Sequence, residues 1–224
     1  MNFLSALVLG VSLAVLPVQV ESSSPMAATI EKTLFSPQKD PSLVIIHVRD
    51  FSQESATKFA EEMKMAQRTG QSVIPVVVSS YGGSVYALLE MVDIVQASRV
   101  PVATIAIGKA MSAGAVFLAS GTPGYRYAAP NSTIMIHEVA AMLVGKNHEI
   151  QATAKEVDRL NTLLFRIMAK QAKRPPNYFL NVLKHVVGNG DWYMTAREAK
   201  RLGLVDYVKI PTFKIKIQID TALE

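Results

Sequence analysis

From Leu43 onward the apolar positions switch between two spacings. The runs "SLVIIHV", "SVIPVVVSS" and "VPVATIAIG" are apolar and β-branched at nearly every place. Such runs suit strands covered on both faces. Between them, apolar residues recur every third or fourth place, the spacing of a helix with one buried stripe. The first helix is expected over residues 51–68, with Ala56, Phe59, Met63 and Met65 inward, Asp50 capping it and Gly70 ending it. The second lies within residues 82–99, its stripe made of Val85, Leu88, Leu89, Val92 and Val95. After the third strand, Ser112 opens a short helix, "SAGAVFLASG". Short strands follow around "YRYA" and "STIMIH", then a long helix from Asn147 to Ala172 and a shorter one from Asn177 to Val187. "MTAREAKRLG" reads as a small helix and "LVDYVKI" as a strand. Alternating strands and helices imply parallel β-α units joined by right-handed crossovers, an α/β fold.

The two ends break the pattern. Residues 1–25 form a hydrophobic segment with no lysine or arginine, and the apolar run from Phe3 to Val18 is interrupted by Pro17. A membrane span needs about 20 apolar residues, so the run is short for that. It has the length of a signal-peptide core without a basic start. Export or anchoring through residues 1–25, and packing on a partner subunit, both remain open. Residues 26–42 read as a linker and 43–210 as the globular domain. In the tail, 211–224, "FKIKIQI" puts Phe213, Ile215, Ile217 and Ile219 on one face and lysines on the other, the mark of a half-buried strand.

Composition narrows the chemistry. Half of the residues are hydrophobic and 18% are charged, enough apolar material for a large core. Cysteine is absent, which removes disulfides, thiolate nucleophiles and cysteine-based metal sites. None of the four histidines stands in an HxxxH or HExxH pair, so no metal or other cofactor is expected. The net charge of +5 is mild and its lysines and arginines are scattered, which argues against nucleic acid as a partner.

One hydroxyl stands out. Ser112 sits at a strand-to-helix turn among small residues, in "GKAMSAGAV". A serine attacking a carbonyl needs a base, a group to orient the base, and two N–H donors for the oxyanion. The Ala113 amide, at a helix N-terminus, is one such donor. Gly83, directly after a strand in "SSYGGSV", offers a second. His137 ends the strand "STIMIH", where sites gather in parallel sheets, and Asp191 lies in a loop before Trp192 and Tyr193. Taken singly, each has a plain alternative: a packing serine, an ordinary turn, a structural histidine, a capping aspartate.

Four blocks taken together resemble the proteolytic subunit of the Clp protease, a serine peptidase. They are "SSYGGSVYA", "GKAMSAGAVFLASG", "RYAAPNSTIMIHE" and "DWYMTAREAKRLGLVD". Gly83 precedes Ser112 by 29 positions and Ser112 precedes His137 by 25, as in that family. The resemblance implies a Clp/crotonase-like spiral of β-α units with a parallel sheet, a protruding long helix and an extra C-terminal strand. It implies Ser112 as nucleophile, His137 as general base, Asp191 as the orienting acid, and the Gly83 and Ala113 amides as the oxyanion hole. It further implies a polypeptide substrate, a heptameric homo-oligomer, an ATP-dependent unfoldase as partner and a cytoplasmic location. Some positions depart from the family pattern. Tyr81 replaces a proline, "HEVAAM" replaces a Gln-Pro and glycine-rich segment, Gly190 stands where an arginine is common, and "KRPPNYF" reads as an insertion. Two other readings are a signal-peptide-peptidase relative working through a Ser–Lys dyad and a silent subunit of a mixed ring. Crotonase-type acyl-CoA chemistry ranks last, since it does not need this serine and histidine.

Overall fold

The computed structural model describes residues 43–141, 144–187 and 190–212. Among the described residues the apolar runs become three adjoining strands, the first at the edge, of a seven-stranded sheet. Strands β1 (Ile46–Val48), β2 (Ile74–Ser80) and β3 (Val102–Met111) lie side by side and parallel, Val76 of β2 facing Ile46 on one side and Thr104 on the other. Next to β3 come β4 (Arg126–Ala128) and β7 (Tyr207–Val208), also parallel. The strand expected over "LVDYVKI" is thus only two residues long. Residues 1–42 and 213–224, which hold the hydrophobic segment, the linker and the "FKIKIQI" strand, lie outside the described residues. No helix among the described residues is long and apolar enough to cross a membrane.

Helix α1 (Gln53–Arg68) starts at Ser52 rather than at Asp50. Ser52 Oγ accepts from the Ser55 N–H, and Ser55 Oγ accepts from the Ser52 N–H, so two orphan donors are satisfied reciprocally. Asp50 serves one step outside, accepting from the Ser52 N–H. The buried stripe is Ala56, Phe59, Met63 and Ala66, while Met65 is 54% exposed. Met65 is two places from Met63, about 200° around a helix, which turns it away from the core. Gly70, at φ +77, follows the helix as expected. Helix α2 (Val85–Gln96) buries Ala87, Leu88, Met91, Val92 and Val95, and α3 (Ala113–Ala119) is buried at every position. Phe117 of α3 takes Phe51 and Phe59 edge-on at 5.6 and 5.5 Å between centroids, tying the first β-α unit to α3.

Strand β3 is two strands in one. Thr104, Ile105 and Ala106 pair with β4, whereas Lys109, Ala110 and Met111 pair with β5 (Thr133–Ile136). The change of partner falls at Gly108, whose φ of +78 bends the strand where a side chain would be strained. On its far side β5 pairs antiparallel with β6 (Trp192–Thr195), a strand the periodicity does not reveal. The long helix α4 (Asn147–Gln171) is largely exposed up to Arg159 and then buries Leu160, Asn161, Leu164, Phe165 and Met168. Helix α5 (Tyr178–Val182) passes into a π turn (Leu183–Val187), and α6 (Ala196–Leu202) follows β6.

Candidate active site

The bend in β3 delivers Met111 and Ser112 to the end of β5. The Ser112 N–H donates to Met135 O at 2.8 Å, extending the ladder by one rung. His137 comes two residues after Met135. Two side chains 25 residues apart in the chain are therefore hung from one strand pair, and His137 Nε2 lies 2.7 Å from Ser112 Oγ.

Ser112 has φ +54 and ψ −122, a region that non-glycine residues seldom occupy. Holding it there costs on the order of 1–3 kcal/mol, balanced by the buried helix that follows. The reward is geometric: Oγ faces His137 Nε2 while Ser112 O accepts from the Ala115 and Val116 N–H groups and starts α3. Among the described residues the Ala113 N–H has no acceptor, as expected for a first-turn amide.

Gly83 joins the site from the other side. It bridges to Phe51, and the following N–H, that of Ser84, donates to Phe51 O at 2.7 Å. Gly83's own N–H has no acceptor among the described residues. A Cβ on Gly83 would stand 2.5 Å from Phe51 O, so no other residue fits there. The neighbouring Gly82 is required for a different reason. At φ +114, a Cβ there would approach Ser112 Cβ to 2.7 Å and Ser112 Oγ to 3.1 Å.

Asp191 lies on the remote side of the imidazole, its Oδ1 3.7 Å from His137 Nδ1. This is an ion-pair distance and too long for a hydrogen bond. Antiparallel pairing of Ile136 with Trp192 brings it there, since each residue is next to one member of that pair. Asp191 is half exposed and also accepts from Tyr193 Oη at 3.4 Å. With Nε2 facing a hydroxyl and Nδ1 facing a carboxylate, the neutral ring that fits has its proton on Nδ1 and a free lone pair on Nε2.

Ser112, His137, Gly83 and Ala113 all line one cavity of about 200 Å³. Its apolar wall comes from Val85, Val116, Ile136, Leu164, Phe165 and Met168, with Glu138 and Asn161 as the further polar residues. Among the described residues no lysine is part of that lining. Lys109, the lysine nearest Ser112 in sequence, has its Nζ over the Tyr81 ring at 4.1 Å from the centroid.

Asn161 was not visible as a site residue in the sequence. It is 8% exposed, and its Oδ1 accepts from the Val139 N–H at 2.7 Å. The signal was an amide set inside the apolar stripe of a long helix, between Leu160 and Leu164.

Residues 39–211 match the family described as Clp protease. The chain is 34% identical over 157 residues to the ATP-dependent Clp protease proteolytic subunit of Deinococcus radiodurans, covering 70% of this chain and 74% of that one. It is 37% identical over 135 residues to the ATP-dependent Clp protease proteolytic subunit 2 of Frankia casuarinae, covering 60% of each.

Proposed function

Since the chain belongs to the Clp protease family, and with it to the serine-type peptidases, we propose that it cleaves polypeptides through an acyl-enzyme on Ser112. His137 takes the Oγ proton on Nε2 as Oγ bonds to the substrate carbonyl carbon. The resulting oxyanion is held by the Gly83 and Ala113 amides. Such a donor is worth about 2.7–4 kcal/mol of the barrier. His137 then passes its proton to the leaving amine, the C–N bond breaks, and the acyl group stays on Ser112. Water repeats the sequence with His137 as base, releasing the acid and restoring the serine. Asp191 keeps the Nδ1–H tautomer and stabilises the imidazolium without itself taking the proton.

One observation carries this reading: the 2.7 Å approach of Nε2 to Oγ, with the serine held in a strained turn at a helix start. The relatives are named as ATP-dependent proteolytic subunits, which supports a ring of identical chains working with an ATP-driven unfoldase. A fluorophosphonate is expected to label wild-type protein on Ser112 and to leave Ser112→Ala untouched. His137→Ala is expected to lose labelling and peptidase activity together. A wild type that never reacts, under conditions where a Clp control does, would refute the assignment.

A further inference from the structure

The cavity beside Ser112 is not uniformly apolar, and the exception sits on α4. Asn161 has a carboxamide with two ends. The Val139 N–H occupies Oδ1 at 2.7 Å, which settles which end is oxygen and which is nitrogen. Among the described residues Nδ2 has no acceptor, and it is not among side-chain atoms sealed from solvent without a partner. The residue is more than nine-tenths buried and lines the cavity. Its carboxamide thus belongs to the cavity wall that Leu164, Phe165 and Met168 also line, and it brings two N–H donors to that wall.

We infer that Asn161 is a specificity-determining residue, whose Nδ2 donates to a carbonyl-type acceptor on the side chain of the substrate residue being acylated, as in glutamine. The inference rests on the peptidase reading, because that reading puts the acyl-side residue in this cavity. The physical reason is asymmetric. A wholly apolar side chain entering the cavity would strip water from Nδ2 and leave its donors unmade, whereas one ending in a carbonyl replaces that water. The body of such a side chain still meets Val85, Val116 and Leu164. Glutamine meets both demands and methionine, of the same length, meets only the second. Because Val139 N–H pins the other end of the carboxamide, the donor direction is fixed before substrate arrives and little ordering is left to be done on binding.

Substitution separates the two ends. Asn161→Asp keeps an oxygen for Val139 N–H and replaces the donors with a second acceptor. Asn161→Leu removes both. Paired fluorogenic peptides, identical except for Gln or Met on the acyl side of the cleaved bond, would be assayed near pH 7.5. The Gln:Met ratio of kcat/KM is expected to fall at least about tenfold in Asn161→Asp and in Asn161→Leu relative to wild type. Fluorophosphonate labelling of Ser112 in each variant controls for an intact site. Labelled, active variants with an unchanged ratio would overturn the inference alone. Equal losses on both peptides would also overturn it, since they would assign the donor to the substrate backbone. A wild type that neither reacts nor cleaves either peptide would remove the peptidase reading as well.

Discussion

At the scale of single residues, Ser112, the proposed nucleophile, is set by its neighbours' lack of side chains as much as by its own hydroxyl. Ser112 can keep its φ of +54 because Gly82 leaves room for its Cβ. Gly82→Ala would bring a methyl group within 2.7 Å of Ser112 Cβ and place alanine at φ +114. Ser112 has to move, and a shift near 1 Å can cost about a hundredfold in rate. The expected outcome is a loss of that order in kcat/KM with unfolding still cooperative; wild-type kinetics would disprove the steric argument. Asp191 gives a second expectation. Its 3.7 Å separation from Nδ1 and half-exposed carboxylate make it a weaker partner than Ser112 or His137. Asp191→Asn should lower kcat by about two to four orders of magnitude, since the tautomer preference is lost. Single-turnover acylation rates would read this directly, and an unchanged rate would remove Asp191 from the mechanism.

At the scale of elements, a buried arginine ties β4 to the ends of two helices and to Asp206. Arg126 opens β4 and is 5% exposed. Its Nε and Nη2 donate to Asp206 at 3.0 and 2.7 Å, while Nη1 donates to Ala119 O and Gln171 O, the last carbonyls of α3 and α4. A cation at two helix C-termini meets two negative dipole ends. Burial works against the charge of Asp206, but hydrogen bonds from the side chain and backbone of Arg126 and from Gly124 outweigh it and hold the carboxyl below its ordinary range. A depressed folded-state value means the pair stabilises at pH above the unfolded value, near 4, and its contribution fades as pH falls through the folded value. Asp206→Asn strands the buried guanidinium and should cost about 3 kcal/mol at neutral pH. Below pH 4 the gap between wild type and variant should narrow, as denaturant melts across pH would show; a constant gap would contradict the linkage. This clamp was illegible in the sequence, because Arg126 and Asp206 are 80 residues apart and nothing local pairs them. The parallel strands were legible, since their apolar, β-branched runs are nearly continuous. Strand β6 was not, because "WYMT" is four residues long and is defined by its antiparallel partner rather than by alternation. The same division holds at the site. Ser112, Gly83 and His137 could be marked one by one from their positions at element ends. Their convergence depends on the bend at Gly108, and Asn161 depends on which turn of α4 meets Val139.

At the scale of the whole molecule, one face of the sheet carries exposed apolar and aromatic residues among the described ones. Registers align His47 with Val77, Val77 with Ile105, Ile105 with Tyr127 and Tyr127 with Tyr207, so these side chains share a face, with Ile105 buried at its centre. Ile45 and Ile107, two residues along from members of that row, add to it and are 45% and 38% exposed. Tyr207 is 41% exposed and stacks on Tyr127 at 5.2 Å between centroids. The opposite face, through Val76, Val78 and Ser80, is fully buried. An apolar and aromatic face of this kind on a single chain marks an association surface. A ring of identical chains, as proposed, gives it a partner, and the exposed first half of α4 supplies a second place for subunits to meet. Ile107→Glu would set a carboxylate in such a contact, five positions before Ser112 but outside the cavity lining, and burying that charge unpaired is prohibitive. The wild type is therefore expected to sediment as a multiple of the 24.4 kDa chain, about 170 kDa for seven copies, with peptidase activity in that peak. Ile107→Glu should sediment as a single chain, keep its far-UV circular dichroism and lose activity in proportion to the loss of assembly. A wild type that is monomeric and fully active would separate catalysis from association and leave the exposed apolar residues of this face to some other partner.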